Sequence, residues 1–271
     1  MNQVLFSHAE KFEEKVAFFQ HAGFENLCVV SDWDRTMTYP HTHDGKPTTS
    51  YLVIVHGNYL GEPYRVEMER LYQRYRWVEV DTALPPIEKS KYMHNWWADA
   101  FDLLHQFDLT LDMVEDIARQ DFMVLRNGAL DFFNMLLKWH IPLDIVSAGL
   151  GDVIDGFLMH RGLLTPNVCV TANRLTFDGD GCVMGFEEPV IHSLNKQMDA
   201  GATGGHCVLL MGDTLEDAAV VSDQDCEAVI RVGFLNAETQ IHRDAYLSVY
   251  DVVVDGDLRY VHDLTWRIIG C

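Results

Sequence analysis

Two aspartates follow a short apolar run near the start of the chain. Asp32 and Asp34 come directly after Leu27–Ser31, whose sequence LCVVS is typical of a buried parallel strand. Carboxylates at positions i and i+2 leave a strand on the same face, so both can address one point in space. Close carboxylates repel each other unless a cation neutralises them or one keeps a proton. The pair therefore indicates a Mg²⁺ site or a shared proton, with an Asx-rich turn that caps the next segment as the alternative.

A second acidic group follows another apolar run. Asp213 comes after the strand predicted over Cys207–Met211, and its carboxylate could complete an oxygen shell for Mg²⁺. The alternative is that Asp213 is only the N-cap of a helix, which the sequence predicts over Leu215–Val221. The two interpretations stay open at this point.

Two other polar residues could meet a small anion. Ser147 ends the strand predicted over Pro142–Ser147 and precedes the helix predicted over Asp152–His160, where a hydroxyl and free backbone N–H groups suit phosphate oxygens. Lys196 is an isolated cation within an acidic stretch and could supply positive charge. The alternatives are a plain turn residue and a solvated lysine.

The elements around these residues predict an α/β fold with a parallel sheet. Short β-branched runs alternate with helical patterns, and three of the four motifs stand at strand ends, where open α/β sheets bind ligands. The further strands are predicted over Val168–Thr171, Ala228–Val232 and Asp251–Val254, and the further helices over His242–Val249 and Leu258–Ile269. A turn between two short strands is predicted within Arg174–Met184.

The interval between residues 39 and 120 is too long for a loop, because structureless loops beyond about 15 residues are uncommon. Its amphipathic patterns predict helices over Tyr64–Arg76, Lys91–Leu104 and Leu111–Ala118. We therefore expect a small helical cap domain over 39–120, inserted after the first strand of a core domain formed by 1–38 and 121–271.

Composition and charge exclude several classes of partner. The 271 residues hold 20 Lys and Arg against 41 Asp and Glu, a formal net charge of −21. Such a chain repels nucleic-acid backbones and anionic membranes. It has no apolar run near the roughly 18 residues of a transmembrane helix, and Met1–Gln20 lacks the apolar region of a secretory signal. We expect a soluble cytoplasmic protein with reduced cysteines, of which Cys28, Cys169 and Cys207 should be buried in strands.

The chain order of the motifs is acidic pair, serine, lysine, acid. This order resembles the haloacid dehalogenase superfamily of phosphatases. The chain from about Leu27 to Val254 further resembles the cytosolic 5′-nucleotidase III (pyrimidine 5′-nucleotidase) family. The segments that carry this resemblance include Glu79-Val80-Asp81, Ser147-Ala-Gly-Leu-Gly-Asp-Val153, Pro166-Asn167-Val168, Ile191-His192 with Asn195-Lys196, and Gly233-Phe-Leu-Asn236. One departure is Arg35, where family members often carry Met.

The resemblance implies a Mg²⁺-dependent hydrolysis of nucleoside 5′-monophosphates. Asp32 would be the nucleophile that becomes an aspartyl phosphate, and Asp34 the general acid and base. Asp32, the Asp34 carbonyl and Asp213 would hold Mg²⁺.

The remaining roles that the resemblance implies concern phosphate. Ser147, the Ala148 N–H and Lys196 would bind the phosphoryl oxygens, where negative charge spreads in the transition state. Asp217 would orient Lys196 or a metal-bound water.

Base recognition is expected in the cap. Glu79 resembles the base-reading carboxylate of the family, which accepts hydrogen bonds from the cytosine amino group or from guanine donors. Trp97 and Ala100 resemble the branch that acts on 7-methylguanosine monophosphate, with core packing as the alternative for Trp97. CMP and 7-methyl-GMP are thus both candidate substrates, and the sequence leaves the preferred base and the oligomeric state open.

Two alternatives to this function remain. One is another small phosphomonoester as substrate, and the other is an acidic Mg²⁺-binding interaction protein without turnover. His41, His43 and His56 lie in a polar loop and are expected to be solvated instead of binding a metal.

Overall fold

A computed structural model describes residues 4–80, 84–196, 206–236 and 240–270, without the side chains of residues 79, 80, 240 and 241. Within these ranges the core is a seven-stranded sheet in which β1 is antiparallel to its neighbour and the other pairs are parallel. In spatial order the strands are β1 (Val4–Phe6), β9 (Val252–Val254), β8 (Ala228–Phe234), β7 (Cys207–Gly212), β2 (Leu27–Ser31), β3 (Leu143–Leu150) and β4 (Val168–Asn173).

The predicted parallel strands are confirmed, with small changes of boundary. β2 and β7 are buried at every residue, because parallel strands in the middle of a sheet are covered on both faces. The register pairs Ser31 of β2 with Ile145 of β3 and with Met211 of β7. The carboxyl ends of these three strands therefore meet at one edge of the sheet.

Helices cover the sheet and form the predicted insertion. They are α1 (Ala9–Ala22), α2 (Leu52–Gly57), α3 (Gly61–Val80), α4 (Pro86–Gln106), α5 (Leu111–Arg119), α6 (Ala129–Lys138), α7 (Gly151–His160), α8 (Gln240–Val249) and α9 (Arg259–Ile269). The fold is thus the expected α/β sheet with helical segments inserted after β2. None of the helices within the described ranges combines the length and apolarity needed to cross a membrane.

The inserted segment contains α2 to α5. In α4 the buried residues Met93, Ala100, Phe101 and Leu104 recur at helical spacing, and this stripe faces the rest of the molecule. A hairpin of β5 (Leu175–Phe177) and β6 (Val183–Phe186) packs against α4, with the rings of Phe101 and Phe186 5.0 Å apart. The inserted segment therefore packs against a hairpin that follows β4 in the chain.

Two details differ from the sequence-based expectation. The helix predicted over Leu215–Val221 is a single 3₁₀ turn at Glu216–Ala219, and the buried Asp217 side chain accepts hydrogen bonds from the backbone N–H groups of Asp213 and Thr214 just before it. The cysteines of the described ranges form no disulfide with one another, and Cys28 and Cys207 are buried as expected. Cys169, however, is exposed, because β4 lies at the edge of the sheet.

Candidate active site

Asp32 lies at the carboxyl end of β2, in the middle of the sheet. Its backbone N–H donates to the Met211 carbonyl at 3.0 Å, which ties the turn after β2 to β7. The side chain is 7% exposed, and its Oδ1 accepts a hydrogen bond from Lys196 Nζ at 2.5 Å. Asp32 Oδ2 is buried and has no hydrogen-bond partner among the residues that the structure describes. One oxygen of this carboxylate is therefore held by a cation while the other stays available.

Lys196 is buried between two carboxylates. Its Nζ also donates to Asp217 Oδ1 at 3.0 Å. Burial alone would lower the pKa of Lys196, but the charges of Asp32 and Asp217 raise it above its ordinary value, so the ammonium keeps its proton. The predicted cation is thus present beside Asp32 and is not a solvated lysine.

Asp217 holds both Lys196 and the loop after β7. Its Oδ2 accepts hydrogen bonds from the backbone N–H groups of Asp213 and Thr214, at 3.2 and 3.0 Å, and from the Thr214 hydroxyl at 2.8 Å. Both Asp217 oxygens are therefore occupied by donors. This geometry fits the orienting role that was expected of Asp217.

The donor set fits a hard divalent cation. Oxygen atoms of Asp32, Asp213 and Asp217 lie within 4.8 Å of one another. Burial and the neighbouring carboxylates raise the pKa of Asp213 well above its ordinary value, and burial raises the pKa of Asp32 to about 7 against the opposing effect of Lys196. Carboxylates this close need a proton or a cation, and oxygen ligands are those that Mg²⁺ prefers. The carboxylates of Asp32 and Asp213 are the groups that fit such an ion, since Asp217 already accepts hydrogen bonds on both of its oxygens.

Asp34 is bound by a residue that the sequence did not single out. The Ser50 N–H donates to Asp34 Oδ1 and the Ser50 hydroxyl donates to Asp34 Oδ2, both at 2.6 Å. Burial raises the pKa of Asp34, and the two Ser50 bonds oppose that rise. A raised pKa favours the protonated carboxyl group, which is the form that a general acid requires.

Ser147 and Ala148 lie within β3, near its carboxyl end. The Ser147 hydroxyl accepts a hydrogen bond from the Gly149 N–H at 3.0 Å. Asn173 donates to the Ala148 carbonyl at 2.7 Å and to the Ile191 carbonyl at 2.8 Å, and accepts from the Ile191 N–H at 2.7 Å. Asn173 thus joins the end of β3, which carries Ser147 and Ala148, to the segment that carries Lys196. No local sequence pattern predicts this link.

A buried arginine supports the turn after Asp34. Arg126 is 3% exposed, and its guanidinium donates to the Arg35 carbonyl at 2.5 Å and the Thr36 carbonyl at 2.8 Å. It also donates to Asn236 Oδ1 at 2.6 Å, while Asn236 Nδ2 donates to Asp213 Oδ2 at 3.1 Å. This network connects both acidic loops of the site.

The predicted base-recognition residues lie on two helices of the inserted segment. The half-buried ring of Trp97 meets the ring of Tyr51 edge-on at 5.6 Å, and the Tyr51 hydroxyl donates to the Ala100 carbonyl at 2.9 Å. Ala100 is 3% exposed, so it lies beneath the rings of Trp97 and Tyr51 and not on the surface that they form. Glu79 is in the last turn of α3, and its side chain lies outside the described residues.

The histidines of the loop after the first acidic motif are not part of the site. His41 and His43 are exposed, and His56 is within 2.9 Å of the Pro47 carbonyl. Among the described residues, none of the three belongs to a cluster of potential metal ligands. The expectation that they are not metal ligands is consistent with these positions.

Comparisons with known proteins agree with this geometry. The family described as “Pyrimidine 5′-nucleotidase (UMPH-1)” matches residues 35–268. The 7-methylguanosine phosphate-specific 5′-nucleotidase of Homo sapiens is 28% identical over 263 residues, which cover 94% of this chain and 88% of that protein. The protein of the same name from Drosophila melanogaster is 32% identical over 251 residues, covering 88% of this chain and 78% of that protein.

Solved structures of phosphatases are also similar to this chain. The crystal structure of cytosolic 5′-nucleotidase IIIB bound to cytidine has a TM-score of 0.89 and 28% identity, covering 98% of this chain and 93% of that chain. A substrate-bound phosphoserine phosphatase has a TM-score of 0.56 at 16% identity, covering 88% of this chain and 97% of that chain, which supports the haloacid dehalogenase fold alone. The chain belongs to the pyrimidine 5′-nucleotidase (UMPH-1) family and is a 5′-nucleotidase, a phosphoric monoester hydrolase.

Proposed function

We propose that this chain hydrolyses nucleoside 5′-monophosphates, CMP and 7-methyl-GMP among them, through an aspartyl phosphate on Asp32 and with the help of Mg²⁺. The observation that carries the proposal is the state of the Asp32 carboxylate. One oxygen is bound by the buried Lys196 at 2.5 Å, and the other is buried without a partner within the described part of the chain. A carboxylate held in this way is oriented for attack, and the cation beside it can receive an anion.

In the first step Asp32 Oδ2 attacks phosphorus and the bond between phosphorus and the 5′-oxygen breaks. Asp34 gives its proton to the departing 5′-oxygen, since an alkoxide is too basic to leave unprotonated. Lys196, the Ser147 hydroxyl and the Ala148 N–H bind the equatorial oxygens, on which negative charge accumulates. The nucleoside leaves and the phosphate stays on Asp32.

In the second step Asp34, now ionised, takes a proton from a water molecule that attacks phosphorus. The bond between phosphorus and Asp32 breaks, inorganic phosphate is released and Asp34 is protonated again for the next cycle. Asp217 keeps Lys196 in place throughout, because its own oxygens are fully bound.

Asp32, the Asp34 carbonyl and Asp213 would hold Mg²⁺. When bound, the ion would offset the repulsion between the attacking carboxylate and the phosphate dianion. Asn236 would fix the Asp213 carboxylate for this task through its 3.1 Å hydrogen bond.

The other parts of the proposal concern the base, the domains and the location. Glu79, Trp97 and Ala100 would select the base within a cap formed by residues 39–120, over a core of residues 1–38 and 121–271. The names of the relatives support a nucleotide with a cytosine or 7-methylguanine base, since they are 7-methylguanosine phosphate-specific enzymes and a cytidine complex. A cytoplasmic location is supported by a Caenorhabditis elegans relative named putative cytosolic 5′-nucleotidase 3, 27% identical over 285 residues.

The test is phosphate release from a panel of phosphomonoesters, with Mg²⁺ and with EDTA. The panel holds CMP, UMP, GMP, 7-methyl-GMP, O-phosphoserine and a sugar phosphate. We expect Mg²⁺-dependent release from CMP and 7-methyl-GMP. Release from phosphoserine or the sugar phosphate alone would replace the nucleotide by another substrate class, and no release from any ester would favour a protein that only binds Mg²⁺.

A further inference from the structure

We infer that Ser50 is a positioning residue for the proposed general acid Asp34, and that its segment links the chemistry to the proposed base-recognition residues Trp97 and Ala100. This inference rests on the proposed function, because it assigns Ser50 a task in the same reaction. Ser50 lies just before α2, in the inserted segment, whereas Asp34 lies in the turn after β2. The two residues are therefore brought together by the seating of the inserted segment on the sheet.

Ser50 donates a hydrogen bond to each of the two oxygens of the Asp34 carboxyl group. Ser50 donates from its N–H and from its hydroxyl to the two Asp34 oxygens, and the hydroxyl also accepts a hydrogen bond from the Leu150 N–H at 3.2 Å. The hydroxyl thus has a fixed position set by β3 as well as by Asp34. A carboxyl group held at both oxygens cannot rotate freely, so its orientation is decided before substrate arrives.

Gly149 provides the space for this contact. A Cβ atom at position 149 would lie 1.9 Å from Ser50 Oγ and 2.7 Å from Asp34 Oδ2. Any side chain there would displace the serine hydroxyl or the carboxyl group. The end of β3 is therefore shaped around the pair, which a solvent-exposed hydrogen bond would not require.

The next residue connects the same segment to α4. Tyr51 donates its hydroxyl to the Ala100 carbonyl at 2.9 Å, and its ring packs edge-on against Trp97 at 5.6 Å. Ser50 touches the proposed proton donor, while Tyr51 touches the proposed base-binding residues. A base seated on Trp97 would therefore steady the segment that orients Asp34, so that binding energy from the base can serve the transfer of the proton.

The test uses two substrates that differ only in the leaving atom. In CMP the leaving group is an alkoxide, which needs a proton. In cytidine 5′-S-phosphorothiolate, where sulfur replaces the bridging 5′-oxygen, the leaving group is a thiolate, which leaves without one because thiols have pKa values of about 8.5. Ser50→Ala should lower kcat/KM for CMP by about 10- to 100-fold, a part of the roughly 10²–10⁴-fold that general acid catalysis supplies, and that for the thio analogue by less than about threefold.

Thr49 offers a matched control in the same turn. Its hydroxyl accepts a hydrogen bond from the Leu52 N–H at 3.1 Å, at the start of α2. Thr49→Ala removes a hydroxyl of equal size from the neighbouring residue, and both substrates should stay within about twofold of wild type. Ser50→Thr, which keeps the hydroxyl, should regain at least half of the loss on a logarithmic scale. Each variant is assayed at least 15 °C below its own Tm, so that only folded enzyme is compared.

The outcomes separate the two levels of the proposal. If wild-type enzyme releases no phosphate from CMP, the proposed function fails. If wild type is active and Ser50→Ala slows CMP and its thio analogue by the same factor, or slows neither, then only the positioning role of Ser50 is overturned. A selective loss on CMP that Ser50→Thr repairs and Thr49→Ala does not reproduce establishes that role.

Discussion

At the scale of single residues, Asp32 and Lys196 form the most constrained pair of the site. Asp32→Asn keeps the size of the side chain and removes the negative charge and the nucleophilic oxygen. We expect kcat on CMP to fall by at least about three orders of magnitude, because the other groups cannot replace a covalent nucleophile. Lys196 keeps Asp217 as its partner in the variant, so the fold should persist.

This prediction is checked by phosphate release together with a thermal melt. A Tm close to that of wild type shows that the loss is chemical. Trapping of 32P on wild type but not on Asp32→Asn after acid quench would place the phosphoryl group. A variant that keeps a tenth of the wild-type kcat would contradict the assignment of Asp32 as nucleophile.

Trp97 makes a second prediction at this scale. The 7-methylguanine base is cationic, and an aromatic face attracts a cation by ~0.5–2 kcal/mol, with an indole face more effective than a phenol. Trp97→Tyr removes part of that attraction and should therefore lower kcat/KM for 7-methyl-GMP about two- to tenfold, and that for CMP by clearly less. Trp97 also packs against Phe101 at 5.5 Å, so a loss of packing would affect both substrates alike. Equal losses on both substrates would show that Trp97 is a structural residue only.

The sequence predicted the residues of the site that stand in local motifs. Asp32, Asp213 and Lys196 were identified because strand ends and family motifs mark them, and the structure brings all three together. Ser50 and Arg126 were not identified. Ser50 is 16 residues from Asp34 in the chain, and Arg126 meets backbone carbonyls that only the folded turn presents. Such contacts depend on how distant segments are packed, and no spacing encodes them.

At the scale of elements, the buried parallel strands were predictable and some surface helices were not. β2 and β7 are continuous apolar runs, a pattern that burial on both faces produces. Helix α1 was not predicted, because its buried residues Phe12, Val16 and Phe19 form only a narrow stripe among charged positions. The Glu216–Ala219 turn was predicted as a helix because periodicity cannot reveal that Asp217 turns inward to Lys196.

A histidine joins α4 to the turn that carries Lys196. His192 is 2% exposed, its Nε2 lies 3.2 Å from Ser90 Oγ, and its Nδ1 accepts a hydrogen bond from the Leu194 N–H at 3.2 Å. The ring lines a cavity of about 300 Å³ between α4 and residues 188–195. The cavity also presents Lys91, His94 and Glu188, and burial together with His94 lowers the pKa of His192.

This element-level link should weaken in acid. Because the pKa of His192 is lower in the folded than in the unfolded chain, the unfolded chain binds the proton more readily. The contribution of neutral His192 to the stability of the folded chain is complete above the ordinary histidine pKa of about 6.5 and is lost as the pH falls below that value. The protonated ring would also need Nδ1 as a donor, which breaks the bond from Leu194.

The comparison of wild type with His192→Gln isolates this effect, because other titrating groups are common to both proteins. Urea unfolding between pH 7.5 and 5.5 should show a larger loss of unfolding free energy in wild type than in the variant. His94→Gln should retain the larger part of the wild-type pH dependence, since burial of His192 is the larger cause of its lowered pKa and the half-buried His94 is the smaller one. Parallel pH curves for wild type and His192→Gln would contradict a buried neutral His192.

At the scale of the whole molecule, an acidic protein handles an anionic substrate. The net charge of −21 repels a phosphate dianion at long range. Attraction is confined to the mouth of the sheet, where β2, β3 and β7 end together and Lys196 is buried between Asp32 and Asp217. The parallel sheet makes this arrangement possible, because it gathers residues far apart in the chain at one edge.

Salt screens the long-range repulsion by the net negative charge more than it screens the short-range attraction by Lys196. Exposed carboxylates separated from the substrate by more than about 10 Å are largely screened at 0.1 M salt, whereas contacts with a buried ammonium are screened much less. Raising KCl from 10 to 150 mM at saturating Mg²⁺ should therefore increase kcat/KM for CMP about two- to fivefold and leave kcat nearly unchanged. Potassium glutamate in place of KCl controls for binding of chloride at the phosphate site. A fall of kcat/KM with both salts would mean that long-range attraction, and not repulsion, governs the approach of the substrate.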